Sequence, residues 1–191
     1  MGVEFELKYR ADTDAQARLL QDFGPWQAIT MATTYYDSPS GALAARKFTL
    51  RCRLENGYPI CTFKTPMSET ERGEFEVKGV TLPQALGTLA EESGAGYLTE
   101  IAHRLTPVCG ARFTRVAKGI DGEGFVAELA LDRGVLLGGG KELPLCEIEL
   151  ECKTGSENDF LSYAASLAAR YSLQPEKLSK FARAAALAKG E

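Results

Sequence analysis

The chain has a single histidine and a single tryptophan among 191 residues. A His-rich zinc centre is therefore excluded, and any triad or acid–base scheme built on histidine has to use His103, in the helix-like stretch LTEIAHRL. Cysteine is sparse and unpatterned: Cys52, Cys61, Cys109, Cys146 and Cys152 are odd in number and form no C-x-x-C. This argues against a disulfide framework or a zinc knuckle, and reduced, mostly buried thiols are expected. No apolar run approaches the roughly 20 residues of a membrane helix. No charged leader precedes an apolar core, so no signal peptide is expected either. A cytoplasmic protein without membrane contact follows. The formal net charge of −4 also gives no reason to expect a nucleic-acid partner.

The residues present are those of an ordinary globular domain: 45% are apolar and 25% charged, enough for one substantial core. No repeat, low-complexity linker or charge block divides the chain, so a single domain over 1–191 is expected. VEFELKYR alternates polar and apolar residues strictly, the signature of a two-faced strand. A helix, DAQARLLQDF, follows it, capped by Asp12 or Thr13, and TTYYDS then reads as a short strand ending at the turn SPSG. KFTLRCRLE and PICTFKTP flank Asn56-Gly57, a strong hairpin signal, and RGEFEVKG is a further strand. Pro83 opens a helical section interrupted by SGAG at 93–96. Two long strands joined around IDGEG and a last strand, LCEIELECK, precede alanine- and leucine-rich helices. The tally is about eight strands, mostly hairpin-connected and hence antiparallel.

Residues two apart on a strand share a face. The polar faces collect Glu4, Glu6 and Lys8; Arg51 and Arg53; Thr62 and Lys64; Arg72, Glu74, Glu76 and Lys78; Glu128 and Asp132; and Glu147, Glu149 and Glu151. The opposite faces carry Val3, Phe5, Leu7, Leu50, Phe63, Leu129, Ile148 and most of the cysteines. On one strand alone such a stripe reads as a solvated face. Taken together the stripes read differently, because carboxylates gather on some strands and cations on others. EIELE sets three like charges on one face, which repel unless something positive lies among them. Strands closed into a barrel with the apolar faces outward under helices would turn these charges into a lumen. About eight strands enclose room for side chains or one small ligand. A polyphosphate with a divalent cation satisfies both signs, since carboxylates suit hard ions and lysine and arginine suit phosphate.

The ordered series E-x-E-x-K, YYDS, LRCR, TFK, EFE, a basic sixth strand, a carboxylate-bearing seventh, ELE and a late S-K-F resembles the CYTH superfamily, the triphosphate tunnel metalloenzymes. The resemblance spans nearly the whole chain. It implies an α+β fold: an eight-stranded antiparallel closed barrel with a charged interior and helices packed outside. It implies a Mg²⁺- or Mn²⁺-dependent hydrolase of inorganic triphosphate or a small organic triphosphate such as thiamine triphosphate. The alternatives are a class IV-type adenylyl cyclase or a non-catalytic polyphosphate-binding module. Glu4, Glu6, Glu149 and Glu151 would hold the metal, and Lys8, Arg51, Arg53, Lys64, Arg115 and Lys180 (beside Ser179) would grip phosphate oxygens. Glu128 and Asp132, with Lys8, would serve catalysis, by holding a second ion or orienting water. Arg112 and Lys118 have the opposite strand parity to Arg115, which would direct them away from the lumen unless a bulge intervenes at Arg112, and their roles stay open. Roles for Glu74 and Glu76, oligomeric state and the physiological substrate stay open at this level.

Overall fold

A computed structural model describes residues 2–3, 5–66 and 72–190, with side chains placed for 5–66 and 73–190. In chain order the elements are β1 (Gly2–Val3), β2 (Phe5–Arg10), α1 (Thr13–Asp22), β3 (Gln27–Asp37), β4 (Thr49–Glu55), β5 (Tyr58–Pro66) and β6 (Arg72–Lys78). They continue with α2 (Leu82–Ser93), α3 (Tyr97–Glu100), β7 (Thr106–Gly122), β8 (Phe125–Gly138), β9 (Lys141–Gly155), α4 (Glu157–Tyr171), β10 (Gln174–Pro175) and α5 (Lys180–Lys189). All strands belong to one antiparallel sheet in the order β1-β6-β5-β4-β3-β7-β8-β9-β2-β10. The fold is α+β, a large antiparallel sheet with helices. Where the sequence led us to expect a closed eight-stranded barrel, the pairing runs as an open order with β1 at one end and β2-β10 at the other. The residue between β1 and β2 is Glu4, whose expected metal role lies outside the described residues.

Local chemistry sets the elements. Asn56 and Gly57 both take positive φ (50° and 85°), the twist that a two-residue hairpin between β4 and β5 requires. Helix starts are capped by side chains: Asp12, one of the two caps the sequence suggested, accepts from the Ala15 N–H at 2.7 Å, and the structure adds Ser156, accepting from Asp159 at 3.3 Å, and Ser179, accepting from Ala182 at 3.1 Å. β3 is longer than TTYYDS implied, running over eleven residues. Its N-terminal half holds Ala28, Thr30 and Ala32, whose weak alternation hid it, and pairing with β7 from Gln27 onward supplies the order.

Two clusters fill the outer face as expected. Leu7, Leu129, Leu131, Ile148 and Leu150 pack with Leu19 of α1 and Phe160 and Leu167 of α4. Leu50, Phe63 and Phe75 pack with Leu86 and Leu89 of α2 and Leu98 of α3. The third cluster departs from expectation. Met31, Ala111, Phe113, Leu136 and Leu145 pack with Ala184 of α5, and by register they share the face of Arg115 and Asp132. α5 therefore lies on the charged face of the sheet, at its apolar end, and not outside. Gly138 permits this approach: a Cβ there would stand 2.3 Å from the Ala184 carbonyl oxygen and 2.7 Å from the Ala188 nitrogen.

The expectation that all cysteines are reduced is also corrected. Cys52 and Cys61 stand directly opposite on β4 and β5 and form a disulfide, with Cα atoms 4.2 Å apart. Cys109, Cys146 and Cys152 are free thiols. Among the described residues no helix is long and apolar enough to cross a membrane.

Candidate functional site

The polar faces of β2, β4, β5, β7, β8 and β9 converge on one cavity of about 150 Å³, reached also by the first turn of α5. Its lining takes in Glu6, Lys8, Arg51, Arg53, Lys64, Arg115, Glu128, Glu149, Glu151 and Lys180 of the residues singled out from the sequence. Tyr35, Thr49, Ala130, Ser179 and Phe181 complete it. Tyr35 and Phe181 lie ring to ring at 5.1 Å, an aromatic stop where β3 meets α5. Ser179 and Lys180 put the positive end of the α5 dipole at the same wall.

The lining is divided by charge. On one side, Glu6↔Glu151 and Glu151↔Glu128 are directly paired across β2, β9 and β8, so these carboxylates form one row in register. Lys8 approaches Glu6 at 3.1 Å and Lys153 approaches Glu151 at 2.6 Å. Among the described residues nothing hydrogen-bonds or ion-pairs with Glu128. On the other side, Arg51 and Arg53 stand on β4 and Lys64 on β5. Glu74 lies 3.4 Å from Arg51 and 3.3 Å from Lys64, while Glu76 accepts from Thr62 at 3.0 Å. Arg53 is 9% exposed and donates to Thr33 Oγ1 at 3.2 Å. Burial, and then the neighbouring Arg51, pull its pKa down from the usual arginine range.

Below the cavity lies a buried ionic cluster. Asp132, with no exposed surface, receives Arg115 bidentately at 2.8 and 2.7 Å. Lys180, 6% exposed, reaches Asp132 at 2.8 Å, Glu149 at 2.6 Å and also Glu147. Arg115 bonds Glu149 as well, and Arg183 bonds Glu147. Burial pushes the Glu147 carboxyl up to about 7. Glu149 goes the other way: burial would raise it, but the Lys180 and Arg115 charges outweigh burial and hold it well below the carboxylate range. Burial likewise opposes the charge on Lys180, and Glu149, Asp132 and Glu147 together override it, raising the ammonium pKa. Asp132, Glu147 and Glu149 offer oxygens within 4.8 Å of one another, a spacing compatible with a metal ion.

Two sequence assignments change place. Asp132 is under the floor, gripping Arg115 and Lys180, and does not line the cavity. Glu149 lines it, yet its two oxygens are taken by Lys180 and Arg115. Arg112 and Lys118 point away as parity required: Arg112 pairs with Glu142 at 2.7 Å, and Lys118 donates to the Gly24 carbonyl at 2.9 Å. Asp37 serves its turn, accepting from Ser38, Leu43 and Ala44 at 2.7–3.0 Å. Arg183 was not singled out from the sequence. Its signal was the i, i+3 spacing in KFAR, which stacks it on the helix face of Lys180.

A sheet whose polar face gathers a basic clamp, a carboxylate row and the N-terminal turn of α5 defines an α+β protein with a charged cavity on its sheet. The chain belongs to the CYTH domain family, whose model matches residues 2–185. It is 28% identical over 145 residues to an inorganic triphosphatase from Haemophilus influenzae, a match covering 74% of this chain and 41% of that protein. The chain thus spans about two-fifths of that relative's length. PH1819 from Pyrococcus horikoshii OT3 shares the fold at a TM-score of 0.66, with 18% identity and 98% and 99% of the two chains covered. So does HpAC1 from Hippeastrum, described as having a dominant triphosphatase activity, at a TM-score of 0.63, with 19% identity and 100% and 97% covered.

Proposed function

We propose that the chain is a divalent-metal-dependent hydrolase of a linear triphosphate, inorganic or small and organic, which it holds inside a closed tunnel. Closure is supported by the N-terminal segment. Gly2–Val3 pair with β6 at one margin of the sheet, and Phe5–Arg10 pair with β9 at the other, so one short stretch of chain joins both margins. The observation that carries the reading is the division of the lining: a clamp of arginines and lysines faces three carboxylates in register. A polyanion alone would be repelled by the row and a cation alone by the clamp, whereas a metal–triphosphate complex complements both.

The chemistry of the carboxylate row suits a hard metal ion, although the carboxylate oxygens already within 4.8 Å of one another are those of Asp132, Glu147 and Glu149. Glu6, Glu128 and Glu151 present only hard carboxylate oxygens, and Glu128 has no partner among the described residues; such sites suit Mg²⁺ or Mn²⁺. When bound there, the ion supplies positive charge against the negative charge that develops on the transferring phosphoryl group. The chain's own side chains do the rest. Arg51, Arg53, Lys64 and Arg115 hold the non-bridging oxygens and fix the phosphorus atoms in line, and the planar guanidinium forks give orientation as well as charge. The positive end of α5, with Lys180 anchored beneath it on Asp132, Glu147 and Glu149, faces the far end of the chain of phosphates. Lys8, beside Glu6, places its ammonium where a leaving phosphate gathers charge. Asp132 acts through Arg115 and Lys180, as their anchor. The Haemophilus relative is named as an inorganic triphosphatase, which favours hydrolysis of the free triphosphate.

The test is a substrate panel of tripolyphosphate, thiamine triphosphate, ATP and pyrophosphate with Mg²⁺ and Mn²⁺, assaying phosphate and cyclic AMP. Metal-dependent phosphate release from a triphosphate is expected. Cyclic AMP as the main product would replace the reading by a cyclase, and tight binding without turnover by a polyphosphate-binding module.

A further inference from the structure

The Cys52–Cys61 bond closes a rung of the β4–β5 hairpin that lies between two rungs of the clamp, Arg51↔Thr62 on one side and Arg53↔Ile60 on the other. Its two sulfurs differ in setting. Cys61 has no exposed surface and packs among Phe63, Leu86 and Leu89, whereas Cys52 is half-buried and lines a groove of about 740 Å³ on the outer face of the sheet. Leu54, Pro59, Val80 and Leu82 line the same groove, and among the described residues no charged side chain does. The Val80 carbonyl oxygen stands 3.8 Å from Cys61 Sγ, an acceptor that only a reduced thiol can use. A staple across nine residues, in a hairpin already turned by Asn56-Gly57, also constrains the unfolded chain less than one across a long loop. Cys109, Cys146 and Cys152 stay free beside it, so the chain is not built as an oxidised framework.

We propose that Cys52 is a site of thiol exchange, opened from the outer groove by a dithiol, and that the bond it closes with Cys61 sets the grip of the clamp on the opposite face. The second half rests on the reading of Arg51 and Arg53 as phosphate-binding residues. One thiolate of the dithiol attacks Cys52 Sγ; the S–S bond breaks, and Cys61 leaves with its electron pair and takes up a proton. The second thiolate of the dithiol then displaces Cys52, which is released and protonated in turn. Two electrons and two protons thereby reach the pair, and the dithiol becomes a disulfide. Two thiols need van der Waals separation where bonded sulfurs do not. Cys61 is held in the core cluster, so Cys52 gives way towards the groove, and β4 carries Arg51 and Arg53 with it.

Adduct mapping and calorimetry on the intact chain test it. Native protein treated with 2-mercaptoethanol and quenched in acid is expected to carry the mixed disulfide on Cys52 and not on Cys61. Tripolyphosphate, titrated before and after reduction with dithiothreitol, is expected to bind roughly three- to tenfold more weakly to the reduced chain and to recover on reoxidation. Cys52→Ala is expected to show one affinity under both conditions. A disulfide that exchanges only in denaturant, equal affinities of the two wild-type forms, or a redox response kept in Cys52→Ala would overturn the proposal. The first two measurements use the wild type alone, so a misfolded Cys52→Ala chain does not rescue it. Redox-shifted binding without turnover would sink the hydrolase reading and keep the switch; turnover with equal affinities would do the reverse.

Discussion

Removing Arg115 should cost far more than a surface charge, and the cost should depend on Asp132. Asp132 has no exposed surface and holds the Arg115 guanidinium through two bonds of 2.8 and 2.7 Å. In Arg115→Ala the carboxylate keeps only Lys180, itself shared with Glu147 and Glu149. Breaking a buried pair from one side costs about 3–5 kcal/mol, because a charge is left uncompensated. For a domain of this size that corresponds to a fall in Tm of roughly 6–20 °C. Asp132→Asn alone should cost about 2–3 kcal/mol, since Arg115 retains Glu149. The double variant should be less destabilised than the sum by about 2 kcal/mol. Urea unfolding of the four proteins at neutral pH gives the cycle. The coupling should persist in high salt, because buried pairs are little screened. Additive single effects, or a coupling abolished by salt, would refute the buried-cluster account.

Other outcomes follow from particular contacts. Glu147, pushed up to about 7 by burial against an ordinary value of 4.5, binds a proton in the folded chain that the unfolded chain lacks between those values. Stability should therefore rise as pH falls from about 8 to 5, by up to about 1.4 kcal/mol per pH unit, and Glu147→Gln should flatten the profile in thermal melts. Arg53→Ala should weaken tripolyphosphate binding by calorimetry by about 10- to 100-fold, the loss of one charge-assisted contact. Gly138→Ala should destabilise by about 1–3 kcal/mol, because its methyl group collides with the α5 backbone, and limited proteolysis should then cut within α5. Alkylation of the unreduced, denatured chain should label Cys109, Cys146 and Cys152 only, with Cys52 and Cys61 joining after reduction.

Period-two patterning made most of the sheet and its charged face legible, because side-chain direction on a strand is fixed by parity alone. That is why Arg112 and Lys118 could be set apart from Arg115 without coordinates. The α5 placement was less accessible. KFARAAALAK announces a helix, but periodicity does not say which side of a sheet it covers; the small residues Ala184, Ala188 and Gly138 decide that in three dimensions. The disulfide was readable in principle: a two-residue turn at Asn56-Gly57 pairs Glu55 with Tyr58 and so sets Cys52 opposite Cys61. Cysteine counting looked for frameworks and overlooked register. Same-face carboxylates likewise look equivalent in sequence, whereas depth separates Asp132 and Glu147, which hold cations, from Glu6, Glu128 and Glu151, which face the cavity.

The most direct test is phosphate release from tripolyphosphate by the wild-type chain and by Glu6→Gln, each with Mg²⁺ and with a chelator. The account predicts turnover by the wild type with Mg²⁺, none with the chelator, and a loss of about 10²-fold or more in Glu6→Gln. Undiminished turnover in Glu6→Gln, or no turnover by the wild type with any divalent ion, would contradict it.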